Sequence, residues 1–233
     1  MRKTIAVLLV AGFAVAAGGR AIAADRAGIS LEWGMGPTLQ LGGGFDMLMD
    51  QQAGLNWDVS NDFAVSVFSG NGTWRGSKEY TNNTTPAITH KVSIEGARDL
   101  FGIAIIHSLP VLSFVKVGIE LGMVSLNQNS ATAWNSNGTA CSGTWTEFGG
   151  MPQTLDQVAS MEGIVGKVTL LKGESKGTYA DISVLASLRF VQLPTTFLYG
   201  RQESDSTASP LKGIEPVESF NNLSIKVVAS LGF

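Results

Sequence analysis

The chain is poor in the residues that most enzymes depend on. Among 233 residues there is one cysteine, Cys141, and there are two histidines, His90 and His107. A lone cysteine makes no internal disulfide, which excludes a disulfide-stapled scaffold and argues against a thiol enzyme. The two histidines are too far apart in sequence for metal-ligand spacing, and neither a Walker loop nor a nucleophile elbow is present. No catalytic residue, metal or cofactor is expected. Charged residues make up only 15% of the chain, and acids outnumber bases 19 to 16, which argues against nucleic acid as a partner. Past the amino end, no apolar run approaches the roughly 20 residues of a membrane-spanning helix.

What the chain has in excess is glycine, 28 residues or about 12%, against a usual ~7%. That surplus suits turns and closely packed strands. The amino end is also distinctive. Arg2-Lys3 precedes an apolar run from Ile5 to Ala17, and Ala21-Ile22-Ala23 supplies small residues for cleavage. This is the pattern of an export signal over 1–23. Cleavage there leaves 13 basic against 19 acidic side chains in residues 24–233, a length suited to one domain.

The strongest pattern is alternation with a period of two, the signature of a strand with one apolar and one polar face. It is clearest at the carboxyl end. Leu223, Ile225, Val227, Ala229, Leu231 and Phe233 alternate with Ser224, Lys226, Val228, Ser230 and Gly232. Residues 27–41 carry the same code, with Ile29, Leu31, Trp33, Met35 and Leu39 opposite Ser30, Glu32, Gly34 and Thr38. It recurs over 45–59, from 63, over 97–106, over 114–126 and over 181–190. A short, weakly patterned strand is expected at 196–202. Val92 and Ile94 have the opposite parity to Phe101, Ile103 and Ile105, so a bulge near Gly96 or a later strand start is expected. Connections after even-numbered strands are short: 60–62, 107–113 and 192–195. Long loops are expected near 70–96, 127–177 and 203–217, holding Trp74, Trp134 and Trp145. Residues 154–171 could hold a short helix or an extra strand, and a hairpin within 127–177 would make ten strands the alternative to eight.

An even number of strands, short turns on one side and long loops on the other is the layout of an antiparallel up-and-down transmembrane barrel. Together with the amino-terminal signal and the ending Leu231-Gly232-Phe233, the chain resembles the small eight-stranded bacterial outer-membrane proteins of the OmpW, OmpX and OmpA kind. The resemblance implies a cell outer-membrane location and contact with outer-membrane lipid. It also implies that Leu231 and Phe233 form the signal read by the barrel-assembly machinery. An OmpW-like member would be a narrow channel for small hydrophobic solutes. A plugged structural barrel, a hydrolase with its site at the rim, and a soluble exported β-sheet protein are the other readings. In the soluble case the isoleucines and valines would be enclosed and the charges exposed.

An eight-stranded barrel is just wide enough for side chains to fill. The polar faces therefore predict a lumen lined by Glu32, Asp58, Lys116, Glu120, Arg189 and Lys226. Asp58, Lys116 and Arg189 are expected near the periplasmic end, Glu32, Glu120 and Lys226 at mid-height, and Asp46, Asp50 and Asp181 toward the exterior. Closure of the last strand on the first predicts a Glu32–Lys226 ion pair, within a salt-bridged plug rather than a gate. Pro37 cannot donate to a ladder and should mark a bulge, or else a lateral break in the wall. Trp33, Trp57 and Tyr199 suit an interfacial girdle.

Overall fold

A computed structural model describes residues 28–42, 45–60, 62–81, 89–135, 155–175, 178–197 and 217–233. The expected signal segment, Tyr199, Trp145 and most of 203–217 fall outside these residues. The strands are β1 (Ile29–Gly36), β2 (Thr38–Gln40), β3 (Phe45–Asp58), β4 (Phe63–Thr81), β5 (Thr89–Leu109), β6 (Leu112–Asn135), β7 (Asp156–Ser175), β8 (Thr178–Phe197), β9 (Val217–Ser219) and β10 (Asn222–Gly232). All pair antiparallel. β1 and β2 are one wall segment interrupted at Pro37, and β9 and β10 are another. Because β10 pairs with both β8 and β1, the sheet closes into a ring of eight.

The registers give the barrel its stagger. From Ile29, successive register partners are Trp57, Val65, Ile105, Ile119, Ile164, Leu188 and Leu223, and the circuit ends at Leu39. It returns ten residues further along the first wall segment, so the strands must tilt strongly for the ring to close. Every residue on this path is apolar, and every one lies on the outer face. Ile29, Ile119, Ile164 and Leu39 are 50 to 59% exposed.

The alternation sorts side chains in the direction opposite to a soluble core. Ile119 is 51% exposed while its neighbour Glu120 is 1% exposed. Val227 is exposed and Lys226 buried. Phe114, Trp57 and Phe233 lie on the outer face toward the end holding the chain termini, and Phe101 and Phe190 toward the other. Trp33 is exposed on the same face, about halfway up.

Three expectations about the strands are corrected. The long loops near 70–96 and 127–177 are largely strand: β4 and β5 take up most of the first, and β6 and β7 much of the second. The short turn at 192–195 lies inside β8; of the strand expected at 196–202, residues 196–197 end β8 and the rest lie outside the described residues. The hairpin turn instead falls between Ser175 and Thr178. The count of eight stands, with β7 as the sixth wall and β8 as the seventh.

Pro37 does not bulge the wall toward β10. Met35 faces Val227 and Leu39 faces Leu223 in one uninterrupted register. The Pro37 carbonyl still accepts a bond from the Ile225 amide at 3.0 Å. Only the bond that proline cannot donate is lost. The parity change around Gly96 leaves the strand's faces in phase. Val92, Ile94, Arg98 and Leu100 all face inward, and the register shift at Glu95/Gly96 is absorbed on β6.

Candidate functional site: the barrel interior

The interior is built in three tiers. At the end holding the termini, Asp58 pairs with Lys116 at 3.5 Å and accepts a hydrogen bond from the Tyr179 hydroxyl at 3.1 Å. Just above, Lys167 pairs with Glu32 at 2.5 Å and lies 3.9 Å from Asp181. The Ser230 hydroxyl donates to Asp181 at 3.0 Å.

The middle tier is fully enclosed. Arg189 meets Glu120 at 2.7 Å through Nε and donates to Gln52 at 2.9 Å. Ser187 donates to Glu120 at 3.0 Å. Asp50 Oδ2 gathers Arg98 at 2.6 Å, Lys226 at 2.8 Å and Arg189 at 3.7 Å. Thr38 also donates to this oxygen, at 3.3 Å. Burying a charge is costly unless it is paired, and here each ion has an opposite charge within reach. Across both tiers the ion pairs join five cations to five carboxylates.

The third tier, toward the loops, is apolar. Trp74, Val92, Ile94, Leu126, Leu155 and Phe220 are at most 1% exposed. Trp74 and Phe220 meet edge to face, with ring centroids 6.0 Å apart. The Trp74 indole N–H donates to the Ala97 carbonyl at 3.0 Å. Glycine makes room for these rings. Trp74, Phe68 and Tyr179 lie directly across from Gly96, Gly102 and Gly232 in register, and a Cβ at any of the three glycines would collide with the ring.

The six charges expected in the lumen all have inward-facing positions, but in a different vertical order. Asp58 and Lys116 meet at the terminal end. Arg189 lies higher, on Glu120, and Asp181 lies lower, near Glu32. This reverses the heights that parity predicts for both, because the added wall β7 makes β8 run in the opposite direction. Glu32 pairs with Lys167 and Lys226 with Asp50, so the expected Glu32–Lys226 pair is replaced by two others. Asp46 is exposed.

Lys167 was missed because both faces of β7 carry apolar residues, which hides its period. Arg98 was legible, since its parity opposes that of Phe101, Ile103 and Ile105. Trp74 belongs to the apolar tier of the interior, not to a loop. His107 is exposed on the outer face near the end of β5, and the His90 backbone pairs with Tyr80 and Asn135. Leu231 and Phe233 are 45% and 63% exposed on the outer face, and the Phe233 amide donates to Ile29 at 3.0 Å.

Among the described residues, no group of three or more His, Cys, Asp or Glu is placed to hold a metal ion. Between the lower and middle tiers, a void of about 10 Å³ is lined by Glu32, Gly34, Gln52, Gly54, Leu185 and Val228. That is room for about one water molecule.

No protein-family profile and no curated protein matches the chain. Among solved structures it is similar to Ail, the attachment invasion locus protein of Yersinia pestis, determined in complex with the heparin analogue sucrose octasulfate. That match has 9% identity and a TM-score of 0.41, covering 89% of this chain and 100% of that one. A major outer membrane protein from Thermus thermophilus matches at 13% identity and a TM-score of 0.39, with 89% and 100% coverage. The translocator domain of the autotransporter NalP from Neisseria meningitidis matches at 11% identity and a TM-score of 0.33, with 100% and 97% coverage.

Proposed function

We propose that this protein is an integral barrel of a bacterial outer membrane whose lumen is closed by its own side chains, and that it acts as a structural or surface-exposed protein rather than an open pore. The observation that carries this reading is the inverted partition on one strand, Ile119 outside at 51% exposure and Glu120 inside at 1%. In water that arrangement loses both the burial of the apolar side chain and the solvation of the charge. In lipid it is the expected one, because a closed ring of strands satisfies every backbone group internally. Outer-membrane lipid is then the solvent of the outer face. The barrel-assembly machinery is the partner during insertion, with Leu231 and Phe233 as its recognition signal.

Closure of the lumen follows from its contents. Among the described residues, ion pairs and small apolar side chains occupy the lower two tiers and larger apolar side chains the third, which supports a closed lumen. Two measurements test the proposal. The protein should fractionate with outer membranes and run faster on gels unheated than boiled. In planar bilayers the refolded protein should show no steady conductance. Recovery in the soluble fraction would overturn the membrane reading, and stable open channels would overturn the plug.

A second reading, a conduit for small hydrophobic molecules, is favoured by the apolar loop-side tier. It also draws on the wall between β2 and β3, where ladder pairing stops at Gly36–Asp50. Saturable binding of a small apolar compound, lost on Trp74→Ala, would favour it.

A further inference from the structure

Most of the unmatched polar atoms of the interior cluster in one layer, with Ser30 Oγ and Asn56 Oδ1 at the terminal end the exceptions. Among the described residues, buried side-chain atoms without a hydrogen-bond partner include Gln40 Nε2 and Oε1, Asp50 Oδ1, Arg98 Nε and Nη1, Arg189 Nη1 and Asn222 Oδ1. These groups are neighbours. Asn222 is in register with both Gln40 and Arg189, and Asp50 lies against Arg98 and Arg189. Arg98, Arg189, Asp50 and Asn222 are all at most 2% exposed. Buried donors are almost always satisfied in folded proteins. Seven unshared atoms in one layer, four donors and three acceptors, would each carry a desolvation cost.

Charge points the same way. Among the described residues, the ten groups joined in the interior ion pairs balance overall but not tier by tier. The lower tier holds Lys116 and Lys167 against three carboxylates. The middle tier holds Arg98, Arg189 and Lys226 against only Asp50 and Glu120. Water could satisfy the guanidinium donors but would leave an uncompensated positive charge in a low-dielectric interior.

We infer that the middle tier binds a small inorganic anion of the halide class, held by the free guanidinium edges of Arg98 and Arg189. A monatomic anion is the suitable guest because it is the smallest that carries the charge. It needs no directional acceptor geometry and supplies the missing negative charge. The inference depends on the barrel interior alone and not on conduction.

The test uses the full refolded barrel in detergent micelles. Its unfolding midpoint is read from the unheated-to-heated gel shift in sodium chloride, sodium bromide or sodium gluconate at one ionic strength. The midpoint should rise with chloride and bromide concentration but not with gluconate. Crystals grown in bromide should show an anomalous peak in contact with Arg98. Arg98→Gln leaves two cations against two carboxylates and should abolish the halide response. Lys226→Met makes the same charge change while keeping the Arg98 donors, and should weaken the response. An identical midpoint in halide and gluconate, or an undiminished halide response in either variant, overturns the inference. If neither variant folds, the bromide peak decides it: present supports the site, absent overturns it.

Discussion

At the scale of single residues, the interior is held by pairs that cannot lose one member cheaply. Glu120 receives Arg189 and Ser187, and both ions are at most 1% exposed. Removing the carboxylate leaves a buried guanidinium whose remaining opposite charge, Asp50, is 3.7 Å away and already shared. Glu120→Ala should therefore destabilise the folded barrel by about 3–5 kcal/mol, the range for breaking a buried pair from one side. Urea titration followed by the gel-mobility shift would measure it. Glu120→Gln, which keeps the hydrogen-bond acceptor, should cost less than the alanine. Asp58–Lys116, with side chains 18 and 27% exposed, is screened by solvent. Loss of either partner there should cost well under half as much.

At the scale of the element, Pro37 makes a direct test of the ladder. Toward β10 the register above and below it is continuous and its carbonyl is bonded, so on that side the wall lacks one donor and nothing else. Pro37→Val restores that donor opposite Ile225. It should stabilise the barrel by about 1 kcal/mol, the net worth of one hydrogen bond, with an unchanged strand fingerprint in amide exchange or circular dichroism.

The strands also show how far the period-two code reaches. Where the outside is apolar and the inside largely polar, as in β1, β3, β10 and the lower halves of β6 and β8, alternation reads correctly from the sequence. In the loop-side tier both polarities reverse. Arg75, Lys91 and Glu95 lie on the outer face while Trp74, Val92 and Ile94 face inward. The faces stay in phase but their chemistry changes over. A parity reading therefore takes the change for a bulge, as at Gly96, or for a loop, as over 70–96. β7 was least legible because Met161 and Val165 inside match Val158 and Ile164 outside in hydrophobicity. With that strand unread, the heights assigned to Arg189 and Asp181 were inverted, and the ion-pair partners of Glu32 and Lys226 could not be found. Which charges face inward was readable from parity, but which pair together depends on the stagger.

At the scale of the molecule, the wall separates two environments of opposite preference. A single outward charge should therefore matter more than any outward polar group beyond the apolar band. Ile119→Arg, near the middle of the apolar circuit, should destabilise the lipid-embedded barrel by about 2–4 kcal/mol. Thr73→Arg, on the outer face of β4 beyond that band, should change stability by less than about 1 kcal/mol. Folding yield in vesicles against urea concentration distinguishes the two. A protein folded in water would give the reverse order of sensitivity to charge at Ile119 and to its loss at Glu120.

The join between β10 and β1 has a consequence for biogenesis. The sheet's first edge is offered by some of the earliest residues of the folded chain, and it stays unmatched until the very last residues are synthesised. A nascent chain halted before Asn222 carries two open rims of backbone donors and acceptors, one on β1 and one on β8. It cannot enter lipid without exposing them. Closure of the ring is therefore all or nothing, waiting on the one segment that meets both rims.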